Sequence, residues 1–224
     1  MIVNEFINLL SEEFKIHADV VIAKQQKAYM KDKFEFYGLK APVRRSLQKP
    51  FLDRKFLPPK NELPNYVKAL LQLPQREFHH VGQELAEKYV KLQEIENIAL
   101  YEYMICTNSW WDSVDYIATK LLAPYFLKFP EQQQVYVDKW LESRHLWLQR
   151  SAVIFQLQYK EKTDTQLLSH AIKNLVGSKE FFINKAIGWA LRNYSRTNPC
   201  WVVDFVNANP ALHPVSRREA LRLL

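Results

Sequence analysis

WLQRSAVIFQLQY, residues 147–159, has counterparts on either side of it in the chain: EFHHVGQELAEKY ending at Tyr89, WWDSVDYIATKLLAPY ending at Tyr125 and FFINKAIGWALRNY ending at Tyr194. The closing tyrosines lie 36, 34 and 35 residues apart. Each segment is preceded by a further amphipathic helix, over 62–73, 94–106, 130–142 and 164–176. A constant period of this length is the signature of stacked helix pairs, because one pair cannot bury its apolar face until its neighbour covers it. The expected fold is therefore all-α, an α-solenoid of HEAT-like or armadillo-like repeats with a concave binding face. Residues 1–55 read as an N-terminal helical cap and 56–224 as tandem repeats of about 35 residues within a single domain.

The punctuation of the chain agrees. Only four glycines occur and no Asn-Gly or Asp-Gly pair, so hairpin signals are missing. Pro64, Pro74, Pro130 and Pro199 fall where helices could begin. With 224 residues, 48% of them hydrophobic, the chain can bury a sizeable core. Its net charge of +7 points to a polyanionic partner, without separating DNA from RNA or a membrane surface. Two cysteines, Cys106 and Cys200, supply neither a disulfide framework nor a zinc-binding CxxC pair, which suits a reducing cytoplasm. The first residues, MIVNEFINLLSEEF, carry acids where a signal peptide needs a basic start, and no window approaches ~18 apolar residues, so neither targeting nor membrane insertion is expected.

Aligned on the period, one position inside each second helix becomes His80, Asp115, Arg150 and Lys185, each 35 residues after the last. Equivalent helices in a stack sit ~8–10 Å apart, so the column runs as a polar stripe and sets Asp115 beside Arg150. Trp111 precedes Asp115 by one helical turn and Trp189 follows Lys185 by one, so both tryptophans can share the stripe's face. Each residue also has a plainer use. Asp115 and Arg150 suit an inter-helix ion pair, Trp111 and Trp189 suit the core, and Trp110, Trp147 and Trp201 suit it better still.

No phosphate loop, dinucleotide fingerprint, zinc-protease helix or nucleophile elbow is present. His79 and His80 are adjacent and point to different helix faces, so they cannot share a metal; neither metal nor cofactor is expected. One carboxylate, electron-rich rings and flanking cations suit a reaction with a positively charged transition state. Cleavage of a glycosidic bond is such a reaction, since the sugar becomes oxocarbenium-like.

The segments KAYMKDKFEFYGLKAPVRR (27–45), LPQREF (73–78), SWWDSVD (109–115), WLQRSA (147–152), SKEFFINKAIGWALRNY (178–194) and SRREA (216–220) together span most of the chain. In them the sequence resembles the AlkD family of DNA-alkylation-repair glycosylases built from HEAT-like repeats. The resemblance implies hydrolysis of the N-glycosidic bond of N3- and N7-alkylated purines in duplex DNA, by a monomer and without flipping the lesion into a pocket. It makes Asp115 the catalytic carboxylate and Trp111 and Trp189 the aromatic cleft residues, with Tyr29 near the lesion and Arg150 at the DNA. Lys185, Arg192, Arg44 and Arg45 complete the expected DNA contacts. Two other uses of the fold stay open at this point: a non-catalytic module for damaged DNA and a protein-binding solenoid.

Overall fold

A computed structural model describes residues 2–224, and among them every regular element is helical. The chain has the α-solenoid-like, all-helical architecture expected from its period. It divides into two compact units, the first reaching to Gln93 and the second covering Glu94–Leu224.

The first unit contains α1 (Val3–Ile16), α2 (Val20–Tyr29), α3 (Ala41–Gln48), α4 (Leu63–Leu71) and α5 (Arg76–Glu87), with short 3-10 turns between them. Phe6, Leu10 and Phe14 recur at the helical period and are fully buried, and α1 packs on α3 and α4. The 35-residue segment ending at Tyr89 lies in this unit, with the helices of the expected cap. Helix α2 buries none of its own residues. It is held instead at its start, where the Asp19 carboxylate accepts from the amides of Val21 and Ile22 at 2.9 and 3.0 Å. Gly38, at φ +89°, passes so close that a Cβ there would lie 2.0 Å from the Asp19 carbonyl oxygen.

The second unit contains α6 (Asn97–Cys106), α7 (Trp111–Ile117), α8 (Ala123–Lys128), α9 (Gln132–Glu142), α10 (Leu146–Ile154), α11 (Thr165–Leu175), α12 (Phe181–Tyr194), α13 (Pro199–Ala208) and α14 (Pro214–Ala220). The helices that carry the repeat column stack in order, α7 on α10, α10 on α12 and α12 on α14, while α9 packs on α11. Helices α7 and α8 are one rod interrupted by a π turn over Ala118–Leu122. Pro124 explains the interruption. Its missing N–H and its ring are incompatible with an ordinary bond to the Lys120 carbonyl, and widening the turn resolves the clash. Pro64 and Pro199 sit in the first turns of α4 and α13. Pro74 and Pro130 stand two residues ahead of α5 and α9 instead.

The repeating tyrosine has a physical job. The Tyr125 hydroxyl donates to the Ile95 carbonyl at 2.7 Å and Tyr159 donates to Ala123 at 2.6 Å, while Tyr89 donates to Pro58 in the first unit. Each reaches back 30–36 residues to satisfy a backbone carbonyl, and Tyr159 bonds the preceding repeat. Tyr194 departs from the pattern and packs its ring edge-on against Trp201 at 5.3 Å.

Candidate active site

The start of α7 explains the doubled tryptophan. Trp110 is the extended residue at the N-cap, where its amide donates to the Ser113 hydroxyl oxygen at 3.3 Å, and Trp111 is the first helical residue. Trp110 turns onto Trp147 and Phe182, ring centroids 5.6 and 5.2 Å away, and Trp147 and Phe182 lie 5.1 Å apart. Three rings, one from the head of each of α7, α10 and α12, thus form a single cluster. Trp147 is buried as its core reading expects, whereas Trp110 is half-buried, and Phe182 carries no special signal in the sequence.

Beside that cluster, Asp115 and Arg150 meet as their 35-residue spacing requires. Arg150 Nε donates to Asp115 Oδ1 at 2.7 Å and Nη2 donates to Oδ2 at 2.8 Å, a bidentate pair. The third edge of the guanidinium, Nη1, donates to the Phe182 carbonyl at 2.6 Å. Arg150 is only 5% exposed, and three of its five donors go to Asp115 and α12. Asp115 keeps a narrow opening to solvent.

Arg150 by itself would lower the Asp115 carboxyl, but a stronger effect opposes it. Burial pushes the carboxyl above its ordinary value, the hydrogen bonds and charge of Arg150 pull it back, Asp112 adds a further upward push, and burial prevails. Protonating Asp115 would leave a buried guanidinium without its counter-ion, so the pair remains an ion pair at neutral pH. The desolvation was invisible in the sequence because it comes from α10 and α12 closing over the site.

Lys185 and Arg192 lie on the next helix, α12, and both are partly exposed. Trp189, one turn beyond Lys185, and Trp111 are half-buried. A residue that the sequence reading passed over joins them: Glu219 of α14 accepts from Lys185 Nζ at 3.2 Å and from Arg192 Nη1. It stands 34 residues after Lys185, one short of the spacing that pairs Asp115 with Arg150, which lands on the buried Ala220.

The remaining candidates belong to the first unit. Tyr29 closes α2 and is 68% exposed. Arg45 is also exposed, its Nε 3.2 Å from Glu84. It lines a shallow recess of about 440 Å³ with Lys49, Arg54 and Lys88. Arg44 is buried and its guanidinium donates to Gln48 at 2.6 Å and to Glu84 at 2.7 Å, so it braces the carboxylate that Arg45 also meets. His80 is half-buried on α5. No group of three or more histidines, cysteines and acids is gathered as a metal site among the described residues, and no helix among them is long and apolar enough to cross a membrane.

No curated protein matches the sequence. A solved structure titled a predicted DNA alkylation repair enzyme, from Enterococcus faecalis, superposes with a TM-score of 0.86 at 33% identity, covering 92% of this chain and 96% of that one. The family model for DNA alkylation repair enzymes matches residues 10–224. The likeness in sequence and in fold runs over nearly the whole chain, and the chain belongs to the family of DNA alkylation repair enzymes.

Proposed function

We propose that the protein is a monofunctional glycosylase that releases N3- and N7-alkylated purines from duplex DNA, with Asp115 as its catalytic carboxylate. Family membership supplies the role in alkylation repair and DNA as the partner. The observation that supports the rest is the bidentate Asp115–Arg150 pair. It holds one carboxylate, largely desolvated and fixed in orientation, at the opening flanked by α7 and α12.

A preorganised negative charge in a dry site is what an oxocarbenium-like sugar needs. An N3- or N7-alkylated purine carries a positive charge, so when the C1′–N bond breaks its electrons return to the base, which leaves neutral and needs no proton. Asp115 stabilises the sugar cation as it forms and orients the water whose oxygen bonds to C1′, and the water's proton passes to solvent. Trp111 and Trp189 add cation–π attraction of about 0.5–2 kcal/mol per contact. Tyr29 lies near the lesion, and Lys185, Arg192 and Arg45 take phosphates. In this reading Arg150 orients Asp115. Lys185, paired with Glu219, is the opposite of the desolvated neutral amine that a Schiff base requires, so the products are free base and an intact abasic site.

The test is incubation with duplex DNA carrying 7-methylguanine or, in a parallel duplex, hypoxanthine. Release of 7-methylguanine much faster than hypoxanthine is expected, because the neutral base lacks its built-in leaving-group charge. Tight binding with no release of either base would refute the enzyme, and a covalent adduct trapped by borohydride would refute Asp115 as the catalytic group.

A further inference from the structure

The terminal SRREA segment, residues 216–220, forms most of α14 and has no part in the chemistry above. Its residues nevertheless divide into anchors and one inward-facing acid. The Ser216 hydroxyl, fully buried, donates to the Asn184 carbonyl of α12 at 2.8 Å. Arg217 Nη1 reaches the Val206 carbonyl of α13 at 3.2 Å, and Ala220 is completely enclosed. On the α12 side the approach depends on Gly188, since a Cβ there would lie 2.6 Å from the Glu219 Cβ and 3.1 Å from the Ser216 carbonyl oxygen. Two helices are therefore drawn together at Gly188, and the side chain placed at that closest approach is Glu219.

From there the carboxylate spans two cations. Oε1 accepts from Lys185 and Oε2 from Arg192, which lie two turns apart on α12. The Glu219 side chain is 14% exposed, against 40% for Lys185 and 25% for Arg192, so the acid lies beneath the cations and they cover it. Lys185 uses one of its three donors on Glu219 and Arg192 uses one of its five, so both keep outward donors. Burial opposes ionisation of Glu219, yet Lys185, Arg192 and Arg222 outweigh it and hold the carboxyl below its usual range.

We propose that Glu219 is a positioning residue that holds Lys185 and Arg192 as a matched pair of cations for one DNA phosphate. The inference rests on the reading that DNA lies along this face, and it extends the Asp115–Arg150 ladder by one repeat. It carries a sign that bulk electrostatics does not. Replacing an acid by a neutral residue makes the protein more basic, so a carboxylate that merely repelled DNA would, once removed, give tighter binding. A positioning carboxylate gives the reverse.

Duplex affinity is measured by fluorescence anisotropy for Glu219→Gln in the wild-type background and in a Lys185→Gln/Arg192→Gln background. In the wild-type background the affinity is expected to fall roughly threefold to tenfold, the order for loosening paired charge-assisted contacts to one phosphate. In the background without the two cations it is expected not to fall. Glu219→Asp keeps the charge but is too short to span both partners; it should give a partial loss, and it carries the test if Glu219→Gln melts prematurely. Tighter binding by Glu219→Gln, or an equal loss in both backgrounds, would overturn the proposal. Failure of the wild type to release methylpurines would instead bring down the proposed function and leave this binding result standing.

Discussion

Asp115→Asn has a cost to folding that can be worked from the geometry, apart from its effect on chemistry. Removing one partner of a buried ion pair costs about 3–5 kcal/mol, because the remaining charge is left uncompensated. Here the stranded group is Arg150, whose side chain is 6% exposed, while Asp115 is 17% exposed and has some access to water. The asparagine oxygen still accepts one of the two lost hydrogen bonds, and Nη1 keeps the Phe182 carbonyl at 2.6 Å. The estimate falls to about 2–3 kcal/mol, a drop in melting temperature of roughly 4–12 °C for a chain of this size. Thermal melts at pH 7 with a urea titration for comparison provide the assay. An Asp115→Asn protein that melts within a degree of wild type would refute the claim that Arg150 depends on this carboxylate. The double variant Asp115→Leu/Arg150→Leu, which strands no charge, is expected to lie closer to wild type than Asp115→Asn.

Two glycines predict opposite outcomes. Gly188→Ala is expected to destabilise by about 1–2 kcal/mol in urea, because the overpacking against α14 exceeds the helix-propensity gain. Gly82→Ala, whose Cβ would meet nothing closer than 3.6 Å, is expected to stabilise by about 0.5–1 kcal/mol. Tyr159→Phe strands the buried Ala123 carbonyl and is expected to cost about 1–3 kcal/mol in the same titration. For Glu84, burial disfavours the charge, but Arg44 and Arg45 overcome it and lower the carboxyl below its usual 4.5. Its contribution is thus present above pH 4.5 and lost as pH falls through the lowered value, so an acid titration of Glu84→Gln should run flatter than wild type below pH 4.5.

The period was legible because it is written in large residues. Tyrosines that each bond a carbonyl 30–36 residues earlier cannot drift in spacing, and a like constraint places Asp115 and Arg150 within reach of one another. Charge type was legible too, but burial was not. Nothing in the local sequence of Arg44 or Arg150 distinguishes a guanidinium facing solvent from one enclosed by neighbouring helices, and both prove to be braces. Pro124 is visible in the sequence, yet the π turn that accommodates it depends on the rod from Trp111 to Lys128 staying continuous under tertiary packing. Glu219 escapes the column because a further 35 residues from Lys185 lands on Ala220, one position beyond it.

The central claim is that the Asp115 charge stabilises the departing sugar cation. Single-turnover release of 7-methylguanine from a saturated duplex, compared between wild type and folded Asp115→Asn below its melting point, tests it most directly. The account predicts a loss of about 10²–10³-fold in rate with duplex affinity largely kept. It also predicts a wild-type rate that rises with pH through a value above that of an ordinary aspartate and then levels, because burial raises the Asp115 carboxyl and the ionised form is the active one. An undiminished rate in Asp115→Asn would contradict the account.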